Sequence, residues 1–569
     1  MFSDPVVGDD FFGRQMVLDL LVKRANGLKS GYRQNVAIIG HQQIGKTSIL
    51  RQFLHVYKDP EILAFCVEIK LQALDYFVDQ FARSLLFQYL VRREPVDSTE
   101  SLASLTQKAA PSIPKTVARI HEIAQLLKQR HAEEAYSKLF ELTSVIRQET
   151  GLHCIVILDE FHRLGEFGLR NAFSNFGKRI MVQKDTMYLL SSSSYSASRR
   201  ILAEKLALLF GNFERVYLEP FDFETSFDFL EKKLKPLTLN PSLAHFLVSF
   251  TDGHPFFLET ITSRIRELAA VRGETEVSRQ AVAEVLQKLL FESQGVLYQY
   301  FLKLLSPWTQ AGGRGSHVLV LTQLAGGKNK LKDVAQAVNR SQSEVSEDIR
   351  ELMEHELIVK NGVFHRFHNK IFKFWLREVY QKKELSLLGT HAKNEEFLAG
   401  VHAMIADSDE LLGMDPSDRV AKLFGLFRNE IVELGEKRRQ LPHFTEILPR
   451  PARTAGAREE VSGASARDLI ARGHGRCWVC KIVEEKATEK EILDLVEGEP
   501  KDRAAARKSP PTRVLVALRG LDDNAKLLAK EKKILTLGLS RLNVLMDVYG
   551  KSPIVHLRRP RPPEPALPA

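Results

Sequence analysis

Short apolar runs alternate with stretches of helical periodicity through the first part of the chain. Val36 to Ile39 is apolar and partly β-branched, as a buried parallel strand is. Ser48-Ile49-Leu50-Arg51-Gln52-Phe53-Leu54 then carries apolar residues at helical spacing. Ahead of that strand, Phe11-Phe12-Gly13-Arg14-Gln15 begins a helix whose Met16, Leu18, Leu20, Leu21 and Val22 pack on a core. Ile62 to Leu71 predicts a second strand, and Asp75 to Val91 an amphipathic helix with a row of Phe and Leu. Residues 92–135 are polar, carry Pro95, Pro111 and Pro114, and read as a helical excursion from the core. Tyr136 to Thr150 is a helix that Gly151 stops. Cys154 to Leu158 is an uninterrupted apolar run, the mark of a central strand covered on both faces. Met187 to Leu190 and Phe213 to Leu218 supply a fourth and a fifth strand.

Farther on, residues 296–380 read as a winged helix. Tyr298 to Leu305 is its first helix, 310–316 a glycine-rich loop, and Leu331 to Ala337 a short helix. Arg340-Ser341-Gln342 is a turn before a would-be recognition helix, Ser343 to His355. Leu357 to Lys360, Asn361-Gly362 and Val363 to Phe367 make a hairpin with an Asn-Gly turn. Residues 384–440 are helical again, with Leu388, Phe397, Leu398, Val401, Leu411, Leu412, Leu423, Phe427 and Ile431 as core candidates. Pro442 to Arg467 is a linker rich in Pro, Ala, Gly, Ser and Arg. Strands and helices alternate from about Ala466 to Leu557, and the Pro- and Arg-rich tail from Arg558 is expected to be disordered.

At 569 residues the chain has length for several domains, and 44% hydrophobic with 27% charged residues is an ordinary globular composition. No apolar stretch approaches the length of a membrane span, and the N-terminus lacks a secretory pattern, so the expectation is a cytoplasmic protein without a membrane partner. Four cysteines, Cys66, Cys154, Cys477 and Cys480, fit a reducing compartment. A net charge of +10 permits an anionic partner but is dilute over this length.

Chemistry enters between the first strand and its helix. Gly40-His41-Gln42-Gln43-Ile44-Gly45-Lys46-Thr47 is a full G-x-x-x-x-G-K-[ST] match in the strand–loop–helix context this motif needs. Glycines let backbone N–H groups curl around phosphates, and the helix N-terminus adds its positive end. Gly40, Gln43, Gly45, Lys46, Thr47 and Ser48 are therefore candidates for nucleotide binding. Lys46 reaches the β- and γ-phosphates, and the Thr47 hydroxyl ligates Mg²⁺. The central strand ends in Asp159-Glu160 at the carboxyl edge, where open α/β sheets bind ligands. Asp159 is placed to hold Mg²⁺ through water, and Glu160 to polarise the attacking water. Ser191 to Ser194 offer a γ-phosphate sensor or a plain polar loop. Arg199 and Arg200 are candidates for an arginine finger, though a solvated basic face explains them as well.

The order of Phe12-Gly13-Arg14, the glycine loop, Leu158-Asp159-Glu160, Leu218-Glu219-Pro220-Phe221 and Gly253-His254-Pro255 resembles the archaeal-type P-loop ATPases of the STAND class, relatives of the AAA+ ATPases. The resemblance covers roughly residues 8–270. It implies an ASCE-type parallel sheet, with Phe12, Gly13 and Arg14 near the adenine and Pro255 in a helical lid that closes on ATP. It also implies ATP-driven conformational switching with slow turnover and an ATP-dependent homo-oligomer. The serine run departs from the family's usual strand-end sensor. The expected fold class is multidomain α/β, divided as ATPase core 1–235, helical lid 236–295, winged helix 296–383, helical segment and linker 384–465, α/β domain 466–557 and tail 558–569.

That last domain resembles the restriction-endonuclease-like fold, whose active centre is an Asp followed by Glu-x-Lys on the next strand. Asp468 and Lys481 match, but Val479 stands at the Glu position, so an inactive, degenerate version is expected. Cys477-x-x-Cys480 has only His474 nearby, and a strand turns the two sulfurs to opposite faces, so incidental thiols are favoured over zinc. The recognition helix carries Glu344, Glu347, Asp348, Glu351 and Glu354 against Arg350, which repels phosphate. Lys328, Lys330, Lys332 and Arg340 lie outside it and compensate in part, and a protein-contact or nucleotide-sensing module is favoured over a DNA groove reader. The leading expectation is an ATP-binding and -hydrolysing switch that engages a protein partner or DNA. The alternatives are an ATP-responsive DNA-binding regulator and an ATP-gated nuclease effector.

Overall fold

The computed structural model describes residues 4–70, 72–205, 213–309, 315–384, 390–435, 437–450, 467–473, 475–497 and 511–554. Leu388, most of the glycine-rich loop 310–316, the linker from 451 to 466, residues 555–557 and the tail lie outside the described residues. The chain forms two compact units, Met1–Phe221 with His254–Phe256, and Asp222–Gly253 with Phe257–Ala569.

In the first unit, β1 (Asn35–Ile39), β2 (Ile62–Glu68), β3 (His153–Asp159), β4 (Thr186–Ser192) and β5 (Phe213–Tyr217) form one sheet in the order β2-β3-β4-β1-β5. Every neighbouring pair is parallel. Side chains of a strand alternate between faces, and each face has its own cover. Val36 and Ile38 join Ile155, Ile157 and Leu189 in a core with Leu18 and Leu21 of α1 (Gln15–Lys29) and Ile49, Leu50 and Phe53 of α2 (Lys46–Val56). Ala37 and Ile39 join Phe65, Val156, Leu158 and Tyr188 in a second core, with α3 (Leu74–Leu90), α4 (Leu102–Ala109), α5 (Pro114–Lys128), α6 (Ala132–Thr150) and α7 (Ala172–Val182). Phe81 and Phe140 meet there edge to face, ring centroids 5.7 Å apart.

Two local expectations are corrected. Phe11 to Arg14 do not begin the helix. Gly13 and Arg14 both have positive φ, 66° and 64°, and α1 starts only at Gln15. The fourth strand runs on through Ser191 and Ser192, both fully buried, because their hydroxyls find partners inside.

The second unit opens with helices Phe223–Leu234, Pro241–Thr251 and Arg279–Leu286 and a short parallel pair, β6 (Thr238–Leu239) with β7 (Glu276–Val277). Helices Val296–Thr309, Gly315–Ala325, Leu331–Ala337 and Gln342–Glu354 follow, the last started by a Ser341/Glu344 capping box. Antiparallel β8 (Ile358–Asn361) and β9 (Phe364–Phe367) come next. Asn361 pairs with Phe364, so the turn residues are Gly362 and Val363 rather than Asn361 and Gly362. Gly362 has φ 62°, and a Cβ there would lie 1.9 Å from the Ile431 carbonyl oxygen. Only glycine admits that approach.

Helices Thr390–Gly413 and Pro416–Phe424 occupy part of the stretch expected to be helical, but Ile431 begins a hairpin, β10 (Ile431–Leu434) with β11 (Lys437–Gln440). The stretch expected to be linker contributes β12 (Glu446–Arg450), an edge strand. Neither has a long apolar run of its own; the hairpin is further held by hydrogen bonds from Asn361 and Val363 to Glu433 and Ile431, and β12 by pairing with a strand beyond residue 466. The second sheet runs β12, β13 (Arg467–Gly473), β14 (Arg476–Val483), β15 (Thr512–Ala517), β16 (Leu535–Gly538). Its first two pairings are antiparallel and its last two parallel.

Candidate nucleotide site

The site lies at the carboxyl edge of the first sheet. β4 separates β1 from β3, yet the residues after β1 and at the end of β3 meet. The Thr47 hydroxyl donates to Asp159 Oδ2 at 2.7 Å, and the Ser191 hydroxyl donates to Asp159 Oδ1. Asp159 is 2% exposed and also accepts from the Glu160 N–H at 3.1 Å. A dry carboxylate fed by hydroxyls is poised for a cation, and a hydroxyl beside a carboxylate is the hard oxygen set that magnesium takes.

The loop itself turns through Gln43 at φ 61° and Gly45 at φ 99°, the left-handed region that glycine enters without penalty. At Gly40 the backbone passes so close to Leu218 and Ile44 that a Cβ would come within 3.0 Å of both. Lys46 is 4% exposed; its ammonium donates to the carbonyls of Gly40 at 2.9 Å and His41 at 2.8 Å. The cation is thus held inside the loop by neutral acceptors, which an anionic phosphate outbids.

Glu160 leaves β3 with φ 58°. Its Oε2 accepts from the Ser193 N–H and the Ser193 hydroxyl, both at 2.8 Å, with His162 Nδ1 3.4 Å away. His162 in turn lies 2.9 Å from the Ser192 hydroxyl. Ser191 and Ser193 are therefore each tied to one of the two acids, an assignment that a run of four serines does not disclose. Burial pushes the Cys66 thiol up, with the Asp159 charge adding to it, so this cysteine stays protonated.

Among the remaining candidates, Ser48 sits on α2, and its hydroxyl accepts from the Val6 N–H at 3.3 Å, while Gln52 accepts from Gly8 N–H at 2.7 Å. The N-terminal segment is thereby strapped along α2. Phe12 lies edge-on to Phe221 at 6.2 Å, and the Arg14 guanidinium sits 4.8 Å over the same ring and donates to the Glu219 carbonyl. Gly13 is the positive-φ link between them. Pro255 begins the helix Pro255–Arg272 and groups with the first unit. Arg199 and Arg200 are both exposed at the end of the helix Tyr195–Arg200.

In the second sheet, Asp468 and Lys481 stand opposite each other in the β13–β14 register. Lys481 donates to Asp494 at 2.9 Å, a carboxylate on the helix Glu489–Glu497 that sequence reasoning missed because it comes from another element. Cys480 packs into the core on one face of β14 and Cys477 against the core on the other. Burial pushes both thiols up. Among the described residues no helix is long and apolar enough to cross a membrane.

Residues 11–261 match a protein family described as an ATPase domain predominantly from Archaea. This part of the chain is an ATPase domain of the P-loop type, and it binds ATP. No curated protein matches the chain. Among solved structures, the Walker-type ATPase of Pyrococcus abyssi is 15% identical, covers 66% of this chain and 99% of its own, and superposes with a TM-score of 0.45. The ORC2 protein of Aeropyrum pernix, in ADPNP and ADP complexes, is 13% identical over 71% of this chain and 98% of its own, with a TM-score of 0.42. The RuvB Holliday junction branch migration motor of Thermotoga maritima is 15% identical over 67% and 100%, with a TM-score of 0.33.

Proposed function

We propose that the chain is a cytoplasmic, ATP-hydrolysing switch of the STAND kind, in which nucleotide state governs engagement of a partner. The observation that carries the site assignment is the hydrogen bond from Thr47 to Asp159 across the intervening β4. It converges a hydroxyl and a carboxylate at the mouth of a glycine loop. The loop amides and Lys46 grip the triphosphate, Lys46 exchanging the carbonyls of Gly40 and His41 for phosphate oxygens. Thr47 and Asp159 would hold magnesium, which would supply charge neutralisation for the phosphates. Glu160 accepts the proton of the attacking water, and Ser193 orients its carboxylate. Phe12, Gly13 and Arg14 face the adenine, with Pro255 on the lid side. Release of phosphate resets the switch, a cycle suited to slow turnover and to an oligomer that forms with ATP.

Helices Val296–Thr309 to Gln342–Glu354 with β8 and β9 have the makings of a winged helix. Arg340 bonds Asp348 at 2.5 Å, yet Glu344, Glu347 and Glu354 stay exposed on Gln342–Glu354. That face suits a protein contact better than a DNA groove.

The test is phosphate release and ATP affinity of Lys46→Ala, with mass measured by light scattering in the ADP and ATP states. Wild-type affinity and turnover in Lys46→Ala refute the site; an unchanged mass and shape in both states refute the switch. A second reading, a metal-dependent nuclease in the last domain, is favoured by one observation, the Lys481–Asp494 pair opposite Asp468, which supplies the carboxylate that Val479 lacks. It requires nicking of DNA that both Asp468→Ala and Asp494→Ala abolish.

A further inference from the structure

The second unit concentrates cations in a place that the nucleotide chemistry does not use. β11 reads Lys437-Arg438-Arg439-Gln440, and all four residues are exposed. Arg476, at the start of β14, reaches the same spot and donates to Gln440 Oε1 at 3.0 Å. Arg438, Arg439 and Arg476, with Gln440, Trp478 and Thr512, line a cleft of about 370 Å³. Three arginines line it, and no carboxylate does among the described residues. Glu433 lies 3.2 Å from Arg438, but the Arg438 side chain is 76% exposed, so that pair holds its charge only loosely. Charges on an edge strand also guard against aggregation. That role accounts for β11 but not for an arginine from a different sheet converging on the same cleft.

We propose that this cleft is a docking surface for the phosphodiester backbone of a nucleic-acid strand. Three observations carry it. Lys437 and Arg439 share one face of the extended strand β11, about 6.6 Å apart, close to the roughly 6.8 Å between alternate charges of one nucleic-acid strand. Guanidinium forks match phosphate oxygens two at a time. The helix Gln342–Glu354 presents acids, so the surface that attracts a polyanion in this unit is the hairpin and not that helix. The net charge of +10 supplies a favourable background field. The inference rests on the reading of a partner-engaging switch only in naming the partner, and its test contains no nucleotide.

The experiment is fluorescence anisotropy of the full chain with a fluorescein-labelled single-stranded DNA, its duplex and the matching RNA, between 50 and 200 mM salt. Binding at low salt is expected, with log affinity falling linearly against log salt. The triple variant R438A/R439A/R476A should bind at least tenfold more weakly at 50 mM and lose about 2–3 from the slope, near one per phosphate contact. Replacing the same three by lysine keeps charge and should keep most of the slope; equal melting temperatures show that both variants fold. The arms tell which nucleic acid is preferred. No binding at 50 mM overturns the proposal, as does a wild-type slope in R438A/R439A/R476A. Polyglutamate of equal charge competing as well as DNA overturns it in favour of an acidic protein partner.

Discussion

The two five-stranded sheets of this chain handle polar groups in opposite ways. In the first, all neighbouring pairs are parallel, so every strand delivers its carboxyl end to one edge. Thr47, Asp159, Glu160, Ser191 and Ser193 collect there, each bonded to another. In the second, β13 and β14 run antiparallel, and the meeting of Asp468 and Lys481 occurs on a face, under the helix that brings Asp494. Its cations gather separately, where β11 approaches the start of β14. A parallel sheet builds one edge with a dipole-rich, convergent site; a mixed sheet distributes its chemistry over faces and ends.

The comparison breaks if the first edge is not where the chemistry resides. Glu160→Gln should cut ATP turnover about 10²–10⁴-fold while retaining ATP binding, as removal of a general base does; steady-state phosphate release with a nucleotide-binding titration checks both halves. The second unit should answer to packing instead. Gly362→Ala puts a side chain against the Ile431 carbonyl at φ 62°, and should destabilise that unit by about 3 kcal/mol while leaving ATP turnover near wild type, measured by calorimetric unfolding.

Acid sharpens the contrast further. Burial lowers His245 and His365, both in the second unit, to about 4. A histidine depressed in the folded state binds its proton more readily when unfolded. Its contribution is therefore whole above the ordinary value near 6.5 and is lost as pH falls from there towards 4. The second unit should lose on the order of 2–3 kcal/mol per histidine over that window, and His365→Gln should flatten the dependence in a denaturant series. The smallest effect is at the base. Ser193→Ala removes one of two donors to the Glu160 carboxylate, so turnover should fall by less than about tenfold with ATP affinity kept, read in the same phosphate-release and binding assays.

Much of the first unit is legible in the residues themselves. A glycine loop between an apolar run and an amphipathic helix is a local pattern, and residues 35–56 form strand, loop and helix as that pattern requires. The run Cys154 to Leu158 likewise becomes a central strand with neighbours on both sides. What the pattern could not carry is order. That β4 lies between β1 and β3, and so delivers Ser191 to Asp159 and Ser193 to Glu160, is decided by the pairing of strands distant in sequence. The hairpin β10–β11 and the edge strand β12 were illegible for a related reason. They are short, β11 is wholly polar, and contacts from farther along the chain hold them: Val363 and Asn361 bond Ile431 and Glu433 of β10, and β12 pairs with β13. Local periodicity determined which segments are helix or strand in the core and where a phosphate could bind. Only the tertiary structure decided which carboxylate, hydroxyl and guanidinium share a space, because those meetings depend on long-range pairing energies that no short stretch of sequence contains.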